Sequence, residues 1–249
     1  MQLKYEIKGD FGFITLSDPP LNYIDSNLFK NPETLKNFLQ KSIIKGVIIK
    51  GEGKHFCNGV NPEILKEDLK KSDALPLLLD LGKNFLKILS DAPIPAIAVI
   101  KGGCIGAGLE IALSCHFRFA ASSAILGFPE TDYGILPGLG GTIFCSKAAG
   151  LSKAIELILT GKLLSAEDAK KIGIVDEIFD TGEVESKAIE FLKNLTGNRS
   201  IEIIKSVIKS INNSLKLSYD QALNEETKLF LHLVQLINEQ KQKDESLDK

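Results

Sequence analysis

Two glutamates beside glycine-rich stretches are the residues best placed to do chemistry. Glu110 lies in KGGCIGAGLEIALSC (101–115), and Glu130 opens PETDYGILPGLGGT (129–142). The apolar residues around Glu110 predict that it is buried, which is costly for a carboxylate unless it is paired, hydrogen-bonded or protonated. Two carboxylates around one water can act as general base and general acid when one of them holds a proton. A structural alternative stays open, in which Glu110 is a buried hydrogen-bond acceptor.

The glycines before Glu110 predict a site for a negatively charged oxygen. A helix is expected to begin near Gly106 and to run through LEIALS, so its first N–H groups lack partners inside the helix. These groups and the helix dipole can stabilise an oxyanion. The alternatives are a nucleotide-binding glycine loop and a close helix–strand contact without a ligand. The first lacks both a following Lys-Ser/Thr and an acidic residue at the end of a strand about 20 positions later.

Alternating strand and helix patterns predict an α/β fold with a mainly parallel sheet. Strand patterns occur at 3–8, 11–16, 46–50, 95–100, 116–121 and 124–128, and helical periodicity occurs at 28–41, 74–90, 151–159, 165–172 and 183–195. Glycine-rich loops follow three of these strands, and ligands gather beyond the carboxyl ends of strands in open α/β folds. After GNRS, 201–213 and 217–240 are predicted as two amphipathic helices, which divides the chain into 1–196 and 197–249.

Composition and charge favour a globular enzyme over a nucleic-acid or membrane protein. The 249 residues carry a net charge of −2, with 44% hydrophobic and 25% charged residues, and we expect no nucleic-acid partner. No apolar run reaches the about 18 residues of a membrane span, and no signal-peptide core is seen, so a cytoplasmic location is expected. The four cysteines lack metal-ligand spacing, which predicts reduced thiols and no metal site.

Three segments in order resemble the crotonase (enoyl-CoA hydratase/isomerase) superfamily. HFCNGVNPEIL (55–65) is similar to the first oxyanion segment of the family, KGGCIGAGLEIALSCHFRFAA (101–121) to the second, and LGFPETDYGILPGLGGT (126–142) to the third. LTGKLLSAEDAKKIGIVDEIF (159–179) resembles the stretch that follows. The resemblance runs from about residue 5 to 180 and implies a layered ββα-superhelix core with a C-terminal helical region that forms oligomers.

The resemblance implies an acyl-CoA enzyme that needs no separate cofactor, because CoA is part of the substrate. The backbone N–H groups of Val60 and Ala107 would hold an enolate oxygen. Glu110 would activate water for attack on the β-carbon, and Glu130 would protonate the α-carbon, in a syn addition across the 2,3-double bond. The implied oligomer is a homotrimer or a dimer of trimers. Contacts with substrate or CoA are expected at Asn22, Cys57, Asn58, Gly59, Gly106, Pro129 and Gly138.

Some residues depart from the family pattern. NGVN (58–61) stands where a small residue, Gly, Ala and Asp are common, so Val60 narrows the pocket. The amides of Asn58 and Asn61 either bind the CoA moiety or cap a helix at Pro62. Asn22 has a structural alternative as well. Ala107 replaces a common glycine. The usual acidic-Gly pair of the C-terminal region is missing, which leaves Lys241 and Lys243 as loose candidates for phosphate contacts.

Two other functions are compatible with the same motifs. One keeps the enolate and changes the outcome to isomerisation, decarboxylation or dehydration of a CoA- or carrier-bound acyl group. The other is a binding or scaffold protein that has kept the fold and lost catalysis, with or without affinity for RNA. The near-neutral charge gives RNA binding no support, and the retention of both glutamates favours an enzyme.

Overall fold

A hairpin with a glycine turn begins the chain. The computed structural model describes residues 1–25, 27–68 and 75–247, without the side chains of 241 and 243–247. Gly9, between the first two strands, has a φ of 58°. The strands are β1 (Gln2–Lys8), β2 (Phe11–Ser17), β3 (Gly46–Gly51), β4 (Ala96–Ile100), β5 (Gly103–Ile105), β6 (Phe117–Ala121), β7 (Ile125–Gly127), β8 (Leu164–Ser165) and β9 (Glu177–Phe179).

The strands form two sheets. The larger has the order β1-β2-β3-β4-β6-β9 and is parallel except for the β1–β2 pair. The smaller has the order β5-β7-β8, in which β5 and β7 are parallel. The predicted mixed α/β fold is therefore confirmed. The short strands β5, β8 and β9 were not predicted, because two or three residues carry no measurable period.

In the part of the chain that the structure describes, ten α-helices cover and extend the sheets. They are α1 (Pro32–Leu39), α2 (Pro62–Asp68), α3 (Leu75–Ser90), α4 (Ala107–Ser114), α5 (Gly141–Ala149), α6 (Leu151–Thr160), α7 (Ala166–Lys171), α8 (Val184–Thr196), α9 (Ile201–Ser214) and α10 (Tyr219–Leu247). The predicted start of α1 at residue 28 was wrong, since Pro32 occupies the first turn. The predicted start of α3 at residue 74 lies outside the described residues.

Both faces of the central strands of the larger sheet are buried. The main core packs β3 and β4 side chains such as Ile49 and Ile100 against α3 and α4. A second core lies under α8, where Ile48 and Phe119 meet Leu192. Burial on both faces explains why these strands are continuous apolar runs. Such a sheet holds the loops at its carboxyl edge in fixed positions.

The C-terminal helices are attached to this core by α9. Ile204 is buried, and Ile201 and Ile208 pack against the main core. Lys216, just after α9, forms an ion pair with Asp91. α10 packs chiefly against α9, and no side chain between 219 and 240 is fully buried. No helix within the described residues is long and apolar enough to cross a membrane.

Candidate active site

The amino end of α4 presents free backbone N–H groups, as the sequence predicted. Gly106 precedes the helix with φ 54° and ψ −123°, a conformation that favours glycine, and Ala107 is the first helical residue. A Cβ on Gly108 would collide with the carbonyl oxygen of Cys57. Bare backbone at 106 and 108 therefore lets α4 approach the neighbouring segment closely.

The Val60 segment lies beside this helix end. Gly59 has a φ of 75°, and a Cβ placed on it would lie 3.5 Å from the backbone nitrogen of Ala107. Ile24 pairs with Val60 and donates a hydrogen bond to the Gly59 carbonyl at 2.8 Å. Within the described part of the chain, the amides of Val60 and Ala107 donate to no backbone or side-chain acceptor. The two amides are thus neighbours with free N–H groups.

Glu110 is buried on the first turn of α4 and is only 1% exposed. Its Oε1 accepts hydrogen bonds from the backbone N–H groups of Leu139 at 2.8 Å and Gly141 at 2.7 Å. Gly141 is the first residue of α5, so the positive end of that helix dipole also faces the carboxylate. Burial raises the pKa of Glu110 to about 7, against the opposing effect of these N–H groups.

The contacts with Leu139 and Gly141 were not found by sequence reasoning. They join residues 29 and 31 positions apart, and they use backbone atoms that leave no side-chain signal. The adjacent glycines 140 and 141 are the available clue. A Cβ on Gly141 would lie 2.9 Å from the Glu110 Oε1 atom, so glycine there lets the carboxylate reach the helix end.

Glu130 is placed against Gly106 by a short 3-10 helix, Pro129–Tyr133. A Cβ on Gly106 would lie 2.7 Å from Glu130 Oε1. Glu130 Oε2 is buried and has no hydrogen-bond partner among the described residues. Burial raises the pKa of Glu130 to about 7; its own backbone N–H lowers the pKa, and the charge of Glu110 raises it. The two carboxylates therefore share one region with different hydrogen-bond partners: two backbone N–H groups lie on Glu110 Oε1, whereas Glu130 Oε2 has none in the described part of the chain.

Three asparagines in or near the segment 55–65 form hydrogen bonds between their side chains and backbone groups. Asn22 is fully buried, and its side-chain nitrogen donates to the carbonyls of Glu52 at 2.9 Å and His55 at 2.8 Å, which is the structural alternative. Asn58 donates from its side chain to the Leu21 carbonyl at 3.1 Å. Asn61 Oδ1 accepts from the Glu63 N–H at 2.9 Å and caps α2, as predicted.

The other predicted site residues lie close to the carboxylates or support them. Pro129 precedes Glu130 in the 3-10 helix. Gly138 belongs to the loop that leads to Leu139, and a Cβ on it would lie 2.9 Å from the Leu79 side chain. Cys57 is fully buried, and burial raises its thiol pKa to about 12. The side chains of Lys241 and Lys243 lie outside the described residues.

The described residues contain no group of three or more His, Cys, Asp or Glu side chains arranged to hold a metal ion. The chemical groups at the site are therefore two carboxylates and two backbone amides. Such a set can move protons and stabilise a developing negative charge on oxygen.

The sequence is similar to those of several known proteins. The family model described as enoyl-CoA hydratase/isomerase matches residues 6–249. A Bacillus subtilis protein named a probable enoyl-CoA hydratase is 32% identical over 87% of this chain and 84% of its own length. The peroxisomal bifunctional enzyme of Danio rerio is 34% identical over 78% of this chain. The chain spans only about a quarter, 26%, of that larger relative.

Solved structures of related proteins share the fold. Enoyl-CoA hydratase from Bacillus anthracis superposes with a TM-score of 0.86 at 27% identity, covering 98% of this chain and 97% of the other. Enoyl-CoA hydratase from Thermoplasma volcanium gives a TM-score of 0.81 at 28% identity, covering 94% and 92%. Match to the family model over nearly the whole chain, together with these relatives, shows that the chain is an enzyme of the crotonase superfamily and belongs to the enoyl-CoA hydratase/isomerase family.

Proposed function

We propose that this enzyme adds water syn across the 2,3-double bond of an enoyl-CoA thioester. The observation that carries the proposal is the pair of buried carboxylates in unequal surroundings, beside two neighbouring amides with free N–H groups. A hydratase needs a base for water, an acid for the α-carbon, and donors for the thioester oxygen. Each requirement has a candidate group in the site.

The thioester oxygen is assigned to the N–H groups of Val60 and Ala107. As water attacks the β-carbon, electrons move toward the thioester carbonyl, and negative charge builds up on its oxygen. Two fixed donors and the positive end of the α4 dipole stabilise that charge without rearranging. The close approach of Gly59 to the backbone nitrogen of Ala107 supports this assignment.

Glu110 is assigned as the base and Glu130 as the acid. Burial raises both pKa values to about 7, so either carboxyl can carry a proton near neutral pH. The assignment is supported by the two N–H groups that stabilise charge on Glu110 Oε1 and by the absence of a donor to the buried Oε2 of Glu130 among the described residues. Glu110 takes a proton from the water as the oxygen bonds to the β-carbon, and Glu130 gives its proton to the α-carbon. The proton gained by Glu110 must then return to Glu130 before the next turnover. No cofactor beyond the CoA of the substrate takes part in these steps.

We also propose a trimer, or a dimer of trimers, assembled through the region 197–249. Exposed apolar side chains on α9 and α10 support this, among them Val207, Ile211, Phe230 and Ile237. A cytoplasmic location completes the proposal. It is supported by the free, buried cysteines 57, 104 and 115, which suit a reducing compartment.

The test is water addition to a panel of 2-enoyl-CoA thioesters, followed by mass spectrometry. Wild type should gain one water, and both Glu110→Gln and Glu130→Gln should lose about 10²–10⁴-fold in kcat/KM, the usual contribution of general acid–base groups. Glu156→Gln, which changes an exposed glutamate paired with Lys153, is the matched control.

Two outcomes would contradict the hydratase assignment. Solvent deuterium entering the α-carbon without water gain would place the enzyme among the isomerases or decarboxylases of the family. A large loss in only one of the two glutamine variants would likewise favour isomerisation, which needs one carboxylate to move a proton.

A further inference from the structure

The segments that carry Val60 and Ala107 run side by side, joined by a short parallel ladder. Cys57 pairs with Cys104, the Ile105 N–H donates to the Cys57 carbonyl at 2.9 Å, and the Cys57 N–H donates to the Gly103 carbonyl at 3.1 Å. In a regular parallel ladder the next N–H, that of Gly103, would bond to the carbonyl of residue 55.

At that rung an imidazole replaces the carbonyl. The Gly103 N–H donates to Nδ1 of His55 at 2.8 Å. The His55 carbonyl is used elsewhere, because the buried Asn22 side chain donates to it at 2.8 Å. An Nδ1 that accepts a hydrogen bond requires the neutral ring with its proton on Nε2.

The glycines opposite make room for this ring. A Cβ on Gly102 would lie 2.8 Å from His55 Nδ1, and one on Gly103 would lie 3.2 Å from the same atom. Gly103 is also buried, so its N–H has no water to replace a lost acceptor. The contact is therefore part of the packing between the two segments.

We propose that His55 is a positioning residue that sets the register between the Val60 and Ala107 amides. This inference rests on the proposed role of these amides in holding the thioester oxygen. His55 stands five residues before Val60, and Gly103 stands four residues before Ala107, so a slip at this rung moves one amide relative to the other. Both donors must reach one oxygen at about 2.7–3.1 Å, and a small slip weakens one of the two bonds.

The chain contains a matched control for the experiment. His116 Nδ1 also accepts a backbone hydrogen bond, from the Ala96 N–H at 3.0 Å, at the start of β4. That end of β4 is opposite the edge that carries the site. Substitutions at 116 thus remove the same kind of bond without touching the ladder of 55–57 and 103–105.

The test measures the thioester carbonyl stretch of ¹³C-labelled butyryl-CoA bound to the full-length protein. This saturated ligand cannot be hydrated, so the band reports hydrogen bonding to the oxygen alone. Wild type should shift the band to lower frequency. His55→Ala and His55→Phe should lose at least about half of that shift, His55→Asn should keep it through its Oδ1 acceptor, and His116→Ala should leave it unchanged.

Kinetics on the enoyl-CoA substrate provide the second measurement. His55→Ala should lower kcat about tenfold with KM changed by less than about twofold, because the lost bond matters most in the transition state. A full band shift in folded His55→Ala or His55→Phe, or failure of His55→Asn to retain it, overturns the positioning role. Absence of a shift in wild type instead overturns the proposed oxyanion function, and this inference with it.

Discussion

The core and the C-terminal helices differ in which side chains are buried: the core encloses a carboxylate, whereas the C-terminal helices expose apolar side chains. In the core, a carboxylate such as Glu110 is enclosed by apolar side chains and held by backbone donors. In α10, apolar side chains face outward, with Phe230 65%, Leu231 59% and Ile237 54% exposed. Unfavourable burial of charge is typical of functional sites, and a patch of exposed apolar residues is typical of interaction surfaces. The contrast is the one expected if the core does the chemistry and the proposed association uses α9 and α10.

The charged groups of the two regions also differ in their burial, and therefore in their pKa values and their contribution to stability. Burial moves the pKa of Glu110 and that of Glu130 to about 7, where a proton can be exchanged near neutral pH. The ion pair between Lys228 and Glu225 on α10 is exposed, and pairs of this kind add little stability. Substitutions should therefore act strongly in the core and weakly on α10.

Gly106→Ala should give the largest effect on the core. The new Cβ would meet the Glu130 carboxylate in a conformation that disfavours alanine, so we expect kcat/KM to fall by about 100-fold or more. Gly9→Ala is the matched control, because Gly9 has a similar φ of 58° but nothing within 4 Å of the added Cβ. Both variants should lose stability, and only the first should lose activity. Equal activity in the two variants would show that the contact at Gly106 is unimportant.

Glu110→Gln should stabilise the folded protein at pH 8. The carboxyl pKa is raised from 4.5 to about 7 on folding, so the folded state binds the proton more tightly, and wild type loses stability as the pH rises between these values. Removing the charge should recover on the order of 1–3 kcal/mol at pH 8 and much less at pH 5. Urea unfolding at both pH values measures the difference, with Glu156→Gln as a control that should show none. Destabilisation of Glu110→Gln at pH 8 would contradict the assigned cost of burying this charge.

Charges on the apolar face of α10 should have the smallest effect on the core. The double variant Phe230→Glu and Ile237→Glu should leave the far-ultraviolet circular dichroism unchanged and reduce the mass in light scattering to that of a monomer. Asn224→Glu with Asn238→Glu adds the same charge at exposed polar positions and should keep the wild-type mass. A wild type that is already monomeric would remove the proposed role of α10.

The two carboxylates could be singled out from the sequence because the residues next to them form recognisable patterns. The apolar run around Glu110 and the glycines before it predicted a buried charge at a helix end. The resemblance of three segments to the crotonase superfamily implied a role for Glu130 as well. Contacts made by backbone atoms of distant segments were not predictable. The Leu139 and Gly141 amides on Glu110, and the Gly103 amide on His55, leave no side-chain pattern, since any residue supplies an N–H. The helix α5 was missed because its apolar residues do not form one clear face.

The free N–H groups at positions 60 and 107 have a consequence for mutational tolerance. Every amino acid except proline supplies a backbone N–H, so side-chain substitutions at these two positions can change the local packing while leaving both donors in place. Valine and alanine at these positions, where the family commonly has alanine and glycine, are changes of this kind. The proposed oxyanion site, because it is built from main-chain atoms, should therefore tolerate most point substitutions at these two positions.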